Sequence, residues 1–125
     1  RKAVPVVMGQ DPPVQFIHER DVAAALHHAI SNDHDGPYNI VGYGALPLTV
    51  ALRIGRRRSA PVPELGSYPL HHALWDPDIL DAPVVLQDLF RYVWVADGTR
   101  ANRVMKFTPE RSTKETCEDF YKNRV

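Results

Sequence analysis

The alternation of apolar and polar positions changes to a helical period near residue 21. Residues 14–18 (VQFIH) alternate as a strand does, because successive side chains of a strand point to opposite faces. After Asp21, apolar residues recur at the spacing of one helical face: Val22, Ala25, Leu26 and Ala29. A carboxylate immediately before such a run accepts free backbone N–H groups of the first helical turn. The pattern therefore predicts a strand that leads into a helix capped by Asp21.

The rest of the pattern predicts short strands that alternate with helices. Further strands are expected at residues 4–8, 37–41 and 92–95, and an extended segment at 59–63. Further helices are expected at residues 48–54, 70–75 and 84–90. This order of elements is typical of an α/β or α+β fold.

Two capped helices are predicted in the C-terminal part. Asp97 or Thr99 is suited to cap a helix that runs through Met105. Ser112 and Glu115 have the spacing of a capping box, in which two side chains satisfy each other's backbone N–H groups. The apolar face of this last helix is expected to consist of Cys117, Phe120 and Tyr121.

Composition and charge exclude several classes of protein. The 125 residues suffice for one domain, or for a fragment of a larger one, and 44% of them are hydrophobic. Fifteen basic residues balance fifteen acidic ones, so neither nucleic acid nor an anionic membrane is an expected partner. The single cysteine excludes an internal disulfide and is compatible with the cytoplasm. Because the chain begins at Arg1, directly before an apolar segment, we expect it to be part of a longer protein.

Several clusters that could indicate a metal site or a dinucleotide-binding site have a simpler structural interpretation. Neighbouring histidines, such as His27 and His28, point about 100° apart on a helix and do not chelate one ion easily, so no metal is expected. The acidic residues 76–81 lack the later glutamate of a calcium loop. Residues 42–44 (GYG) follow a predicted strand, but a plain glycine turn is favoured over a dinucleotide-binding turn.

Gln15 and His18 are the best candidates for substrate binding. Both belong to a predicted strand that ends at a helix N-terminus, and ligands of open α/β sheets gather outside the carboxyl ends of strands. A polar residue that is merely satisfied at the end of a sheet is the alternative interpretation of His18. No catalytic residue is predicted, since no serine lies in a nucleophile elbow and Cys117 lies in an apolar stripe.

Three segments together resemble one enzyme family. Residues 14–23 (VQFIHERDVA) are similar to the F-x-H-x-x-D-V-A segment of extended short-chain dehydrogenase/reductases, the NAD-dependent epimerase/dehydratase family. Residues 36–40 (GPYNI) resemble the family's G-x-Y-N-[IV] strand. Residues 97–101 (DGTRA) and 107–109 (FTP) resemble its D-x-[ST]-[KR]-A … W-x-P ending. The three occur in the family's order, and all belong to its C-terminal, substrate-binding part.

The resemblance implies a Rossmann-type parent enzyme whose N-terminal half is absent from this chain. None of the five tyrosines has the lysine four residues later that the family's proton-transfer pair requires, and the family's glycine-rich fingerprint is missing. NAD or NADP is therefore implied for the full-length parent and no cofactor for this chain. Val14 stands where the family has an arginine that contacts a nucleotide-sugar phosphate. The implied partners are a small-molecule substrate and the missing Rossmann half.

A second hypothesis treats the chain as a stand-alone, non-enzymatic domain. Its apolar faces would then be completed by a partner protein or by a homo-oligomer. The two hypotheses differ in what should cover the exposed apolar surface of the N-terminal strands.

Overall fold

The computed structural model describes residues 4–65, 69 and 91–123 and shows a mixed α/β chain with short strands and helices. Its elements are β1 (Val4–Val7), β2 (Pro13–Val14), α1 (Glu19–Ser31), β3 (Leu46–Pro47), α2 (Leu48–Ile54), β4 (Ser59–Val62), a π-helix (Ala101–Met105) and α3 (Thr113–Lys122). β2 pairs with β3 in a two-stranded sheet. In the described ranges no helix is long and apolar enough to cross a membrane.

The chain divides into two compact units. The first contains Arg1–Pro13 and Pro47–Trp94, and the second contains Val14–Leu46 and Val95–Val125. The polypeptide leaves the first unit within β2 and returns to it within β3.

A parallel pair of strands and one helix are described in the first unit. β1 pairs with β4 from Val4 opposite Ser59 to Val7 opposite Val62. The predicted strand at residues 4–8 and the extended segment at 59–63 are thus confirmed, apart from one residue at the end of each. The predicted helix at 48–54 is confirmed as α2, and the carboxylate of Asp11 accepts the backbone N–H of Thr49 in its first turn at 2.9 Å.

The second unit is built from α1, the π-helix and α3. The capping box before α3 is confirmed: the Ser112 hydroxyl accepts the backbone N–H of Glu115, and the Glu115 carboxylate accepts the backbone N–H of Ser112. The predicted helix through Met105 is also present, with a π-helical last turn that ends at Lys106 in a left-handed conformation (φ 58°). Cys117 is buried as predicted, but Phe120 is 54% exposed, so the predicted apolar face of α3 is only partly internal.

The start and the apolar face of α1 differ from the prediction. Only Pro13–Val14 forms a strand, and the helix begins at Glu19 with His18 as its N-cap, so the prediction that Asp21 caps the helix was wrong. Ala25 is buried as predicted. Val22 and Leu26 are 38% and 60% exposed, because this unit covers the polar side of α1 instead.

Two predicted strands are also wrong, and three predictions lie outside the described residues. Residues 37–41 form no strand, because nothing in the described chain offers them a neighbouring strand to pair with. Of residues 92–95, only Trp94 forms a bridge, where its N–H donates to the carbonyl of Pro13 at 3.3 Å. The predictions outside the described residues are the helices at 70–75 and 84–90 and the acidic turn at 76–81.

The side chain of Thr113 joins three segments of the second unit. It is completely buried, its hydroxyl donates to the carbonyl of Gly44 at 2.6 Å, and its oxygen accepts the backbone N–H of Phe16 at 3.3 Å. These hydrogen bonds satisfy the buried hydroxyl, which would be costly to bury without partners. They also hold the start of α3 against both segments.

We expect Thr113→Val to lower the free energy of unfolding by about 1–3 kcal/mol, because it removes the hydrogen bonds of a completely buried hydroxyl and leaves two partly buried backbone groups without their partner. Thr116→Val is the matched control, since the hydroxyl of Thr116 donates only to the carbonyl of Ser112 within the same helix. Urea unfolding followed by circular dichroism measures both losses. Equal losses in the two variants would contradict the role assigned to Thr113.

Candidate substrate-binding cleft

An open cleft of about 350 Å³ lies within the second unit. It is lined by residues 39–43, 96–99 and 107–109, together with Gln15, Ala101 and Asn102. The lining comes from stretches far apart in sequence. Each of the three stretches that resemble the epimerase/dehydratase family contributes to this one cleft.

Gln15 ties the walls of the cleft together. Its amide nitrogen donates to the carbonyl of Gly42 at 2.7 Å, and its amide oxygen accepts the backbone N–H of Ala96 at 3.0 Å. The two backbone partners fix the orientation of the amide, because a carbonyl only accepts and an N–H only donates. The structure thus places Gln15 in the cleft wall, where it holds two other segments in register. Its contact with a substrate stays a prediction.

Two glycines allow the walls to approach each other closely. A Cβ atom on Gly42 would lie 2.0 Å from the carbonyl oxygen of Phe16, and one on Gly98 would lie 2.7 Å from a methyl group of Val41. Gly44 has a left-handed conformation (φ 73°), as expected of a glycine turn. The glycine turn predicted at 42–44 therefore also provides a backbone contact that any larger residue at position 42 would prevent.

The polar groups of the cleft are amides, hydroxyls and one carboxylate. Asn39 donates to the carbonyl of Asp97 at 3.1 Å, and Asn102 donates to the hydroxyl of Thr108 at 2.6 Å. The carboxylate of Asp97 accepts the hydroxyl and the backbone N–H of Thr99, and these hydrogen bonds lower its pKa. No lysine, arginine or histidine belongs to the lining that the described part of the chain provides. The described lining of the cleft therefore offers hydrogen-bond donors and acceptors and one carboxylate.

His18 lies outside the cleft lining, and each of its ring nitrogens makes a hydrogen bond within the protein. Its Nδ1 accepts the backbone N–H of Arg20 at 3.1 Å, which makes it the N-cap of α1. Because Nδ1 is an acceptor, Nε2 carries the proton and donates to the carboxylate of Asp119 at 3.0 Å. This hydrogen bond is the main cause of the lowered pKa of Asp119. The side chain of His18 is 7% exposed, so the geometry agrees with a satisfied structural residue, and a role in substrate binding stays a prediction.

Asp21 has a structural role that the sequence analysis missed. Its side chain is almost completely buried, and its two carboxylate oxygens accept the backbone N–H groups of Glu110 and Arg111 at 3.1 and 3.2 Å. Asp21 therefore fixes the loop that leads into α3. No local pattern signals this role, because the two N–H groups lie 89 and 90 residues further along the chain.

An aromatic column at the end of α1 was also not predicted from the sequence. His28 stacks on His34, which in turn meets the edge of Tyr38, and the guanidinium of Arg100 lies 5.0 Å from the centre of the Tyr38 ring. His28 Nε2 donates to the carbonyl of Met105 at 2.5 Å. These contacts join the end of α1 to the π-helix beside the cleft.

The described residues offer no metal centre and no reactive thiol. In residues 4–65, 69 and 91–123 no group of three histidine, cysteine, aspartate or glutamate side chains could hold a metal ion. Burial raises the pKa of the Cys117 thiol, which favours the unreactive protonated form.

Comparison with known proteins gives relatives but no family. The chain is 30% identical over 128 residues to uncharacterized proteins of Mycobacterium bovis and Mycobacterium tuberculosis. The match covers 97% of this chain but only 32% of each relative, so the chain spans about a third of the length of the curated relatives it matches. No family model matches the chain. No solved structure matches it either.

We expect the contact between His18 and Asp119 to stabilise the fold only while Asp119 is ionised. The folded-state pKa of Asp119 is lowered, so its contribution is complete above the ordinary value of 3.8 and is lost as the pH falls through the lowered value. Asp119→Ala should therefore be destabilising near neutral pH, and the difference from the unsubstituted chain should shrink in strong acid.

Urea unfolding at a series of pH values from neutral to strongly acidic measures this difference. Glu118→Ala is the matched control, because Glu118 is the neighbouring carboxylate on α3 and pairs with Lys114 on its own helix instead. A loss for Asp119→Ala that does not change with pH, or that equals the loss for Glu118→Ala, would contradict the expectation.

Proposed function

We propose that this chain is the substrate-binding portion of an NAD(P)-dependent, sugar epimerase/dehydratase-like oxidoreductase of the cytoplasm, and that it is not catalytic alone. The observation that carries the proposal is the convergence of the three family-like stretches around one cleft. Stretches that resembled the family by chance would have no reason to meet at the same cavity. The relatives, which extend well beyond the matched region, are compatible with a longer parent protein.

The lining of the cleft supports a sugar as the substrate class. Backbone groups, two asparagines, threonine hydroxyls and the Asp97 carboxylate surround a partly apolar surface that includes Ile40 and Phe107. Sugars present hydroxyl groups that donate to carboxylates and accept from amides, while their C–H faces pack on apolar side chains. The lack of a basic side chain in this described lining agrees with Val14 at the position of the family's phosphate-binding arginine.

In this proposal the chain contributes recognition and the preceding Rossmann-type half contributes redox chemistry. That half would hold NAD or NADP and the tyrosine and lysine that move the proton. The cleft residues would orient the sugar so that the reacting carbon faces the nicotinamide. Orientation of this kind accounts for a large part of the rate of such reactions.

The longer protein, with the region upstream of Arg1 included, is expected to bind NADH or NADPH, whereas the 125-residue chain is expected to bind neither. Titration of both proteins with each nucleotide, followed by nicotinamide fluorescence, measures this difference. Tight binding by the 125-residue chain would refute the assignment, as would the absence of binding by the longer protein.

In the longer protein, Thr108→Trp is expected to block the cleft and to lower kcat/KM for a sugar substrate at least about tenfold. The dissociation constant for NADH should not change, because Thr108 lines the substrate cleft. Glu110→Trp is the matched control, since residue 110 is exposed and lies outside the lining.

Turnover is followed by chromatographic separation of substrate and product with a panel of free and nucleotide-linked sugars, because an epimerase or dehydratase returns the hydride to the sugar and leaves no net change in nicotinamide absorbance. Unchanged kcat/KM for Thr108→Trp, with a substrate that the unsubstituted protein turns over, would place the substrate elsewhere.

A further inference from the structure

Helix α1 buries its polar side within the second unit and exposes its apolar side. The residues that face the interior are polar or small: Asp21 is 2% exposed, Ala25 is 4% exposed and His28 is half-buried. The large apolar residues of the helix face outward instead, since Val22, Leu26 and Ile30 are 38%, 60% and 86% exposed. A helix normally buries its apolar stripe, but residues 4–65, 69 and 91–123 provide no cover for the outward stripe of α1.

These three residues form one continuous ridge, which we call the apolar ridge. They are spaced four residues apart, and the i±4 rows are the ridges that fit most often into the grooves of packed helices. Ala23 and Ala29 flank the ridge and are exposed. Because alanine side chains are small, they leave shallow grooves on both sides into which a covering surface could settle.

The size of the apolar ridge favours a covering surface on the same polypeptide over a second copy. The exposed parts of its three side chains present on the order of 300 Å², whereas a stable interface between separate proteins needs roughly 800 Å² from each partner. A contact within one polypeptide does not lose the translational and rotational freedom that separate molecules lose on association. The mycobacterial relatives match this chain over only 32% of their length, so most of each relative lies outside the aligned region.

We propose that the apolar ridge is the docking face for an apolar surface of the nucleotide-binding half that precedes residue 1 in the longer protein. This inference rests on the proposed function, because it takes from it the existence of that half. The ridge occupies one side of α1, and the other side holds the loop before α3 through Asp21. Docking on the ridge would therefore join the nucleotide-binding half to the helix whose N-terminal contacts organise the cleft.

Cysteine accessibility tests the proposal in both proteins. Leu26→Cys and Ile30→Cys place a thiol on the ridge, and Ala24→Cys is the matched control because residue 24 is exposed on the opposite side of α1. The native Cys117 is buried and contributes only a slow background. In the 125-residue chain, all three variants should react with a maleimide at rates that agree within about threefold and that do not depend on protein concentration.

In the longer protein, Leu26→Cys or Ile30→Cys should react at least about 30-fold more slowly than in the 125-residue chain, while Ala24→Cys should react at an unchanged rate. Reaction of both ridge variants as fast as the control would overturn the proposal. Protection in the 125-residue chain that increases with its concentration would overturn it in favour of self-association, which is the second hypothesis of the sequence analysis.

Nicotinamide binding, measured on the same preparations, separates the two proposals. A longer protein that protects the ridge but binds neither NADH nor NADPH would refute the proposed function and, with it, the nucleotide-binding role of the docked half, while the ridge would still be a docking face within the longer protein. A longer protein that binds the nucleotide while both ridge thiols stay reactive would refute the docking face alone.

Discussion

The buried carboxylate of Asp21 is the constraint on which the second unit depends. A buried anion is costly unless hydrogen bonds replace the water that it loses, and here two backbone N–H groups from residues 110 and 111 do so. The position of Asp21 in the first turn of α1 adds the favourable field of the helix N-terminus. The loop that Asp21 holds leads directly into the capping box of α3, so one charge fixes the place where that helix starts.

The walls of the cleft follow from this arrangement. Once α3 is placed, Thr113 reaches the segments of Phe16 and Gly44, and Gln15 bonds to the backbone at Gly42 and Ala96. Most of these contacts join a side chain to the backbone. The shape of the cleft therefore depends on a few buried or half-buried polar residues, whereas other residues that line it, such as Tyr43 and Thr108, are exposed.

The helices that were predicted with the right ends are those determined by neighbouring residues. The capping box of Ser112 and Glu115 needs only a four-residue pattern, and α2 is bounded by Pro47 and Gly55. The face of α1 was assigned wrongly because periodicity shows which residues share a face, but not which face the rest of the chain covers. The prediction of a strand at 37–41 was wrong for a related reason, since a strand forms only where a neighbouring strand accepts and donates its hydrogen bonds. No local sequence pattern predicts that the three family-like stretches meet at the cleft or that Asp21 binds the loop before α3, because both contacts join residues that are distant in sequence.

The contact between Gly42 and the carbonyl oxygen of Phe16 limits how the length of the chain can vary. Two main-chain segments contact each other there. An inserted or deleted residue next to either position would replace Gly42 by a residue whose side chain does not fit. Residues 32 and 33, which follow the end of α1, are exposed and make no such main-chain contact, whereas His34 and Tyr38 further along the loop are held in the aromatic column. Natural length variation and engineered insertions should therefore collect at residues 32 and 33, where a tag or a reporter would leave the cavity undisturbed.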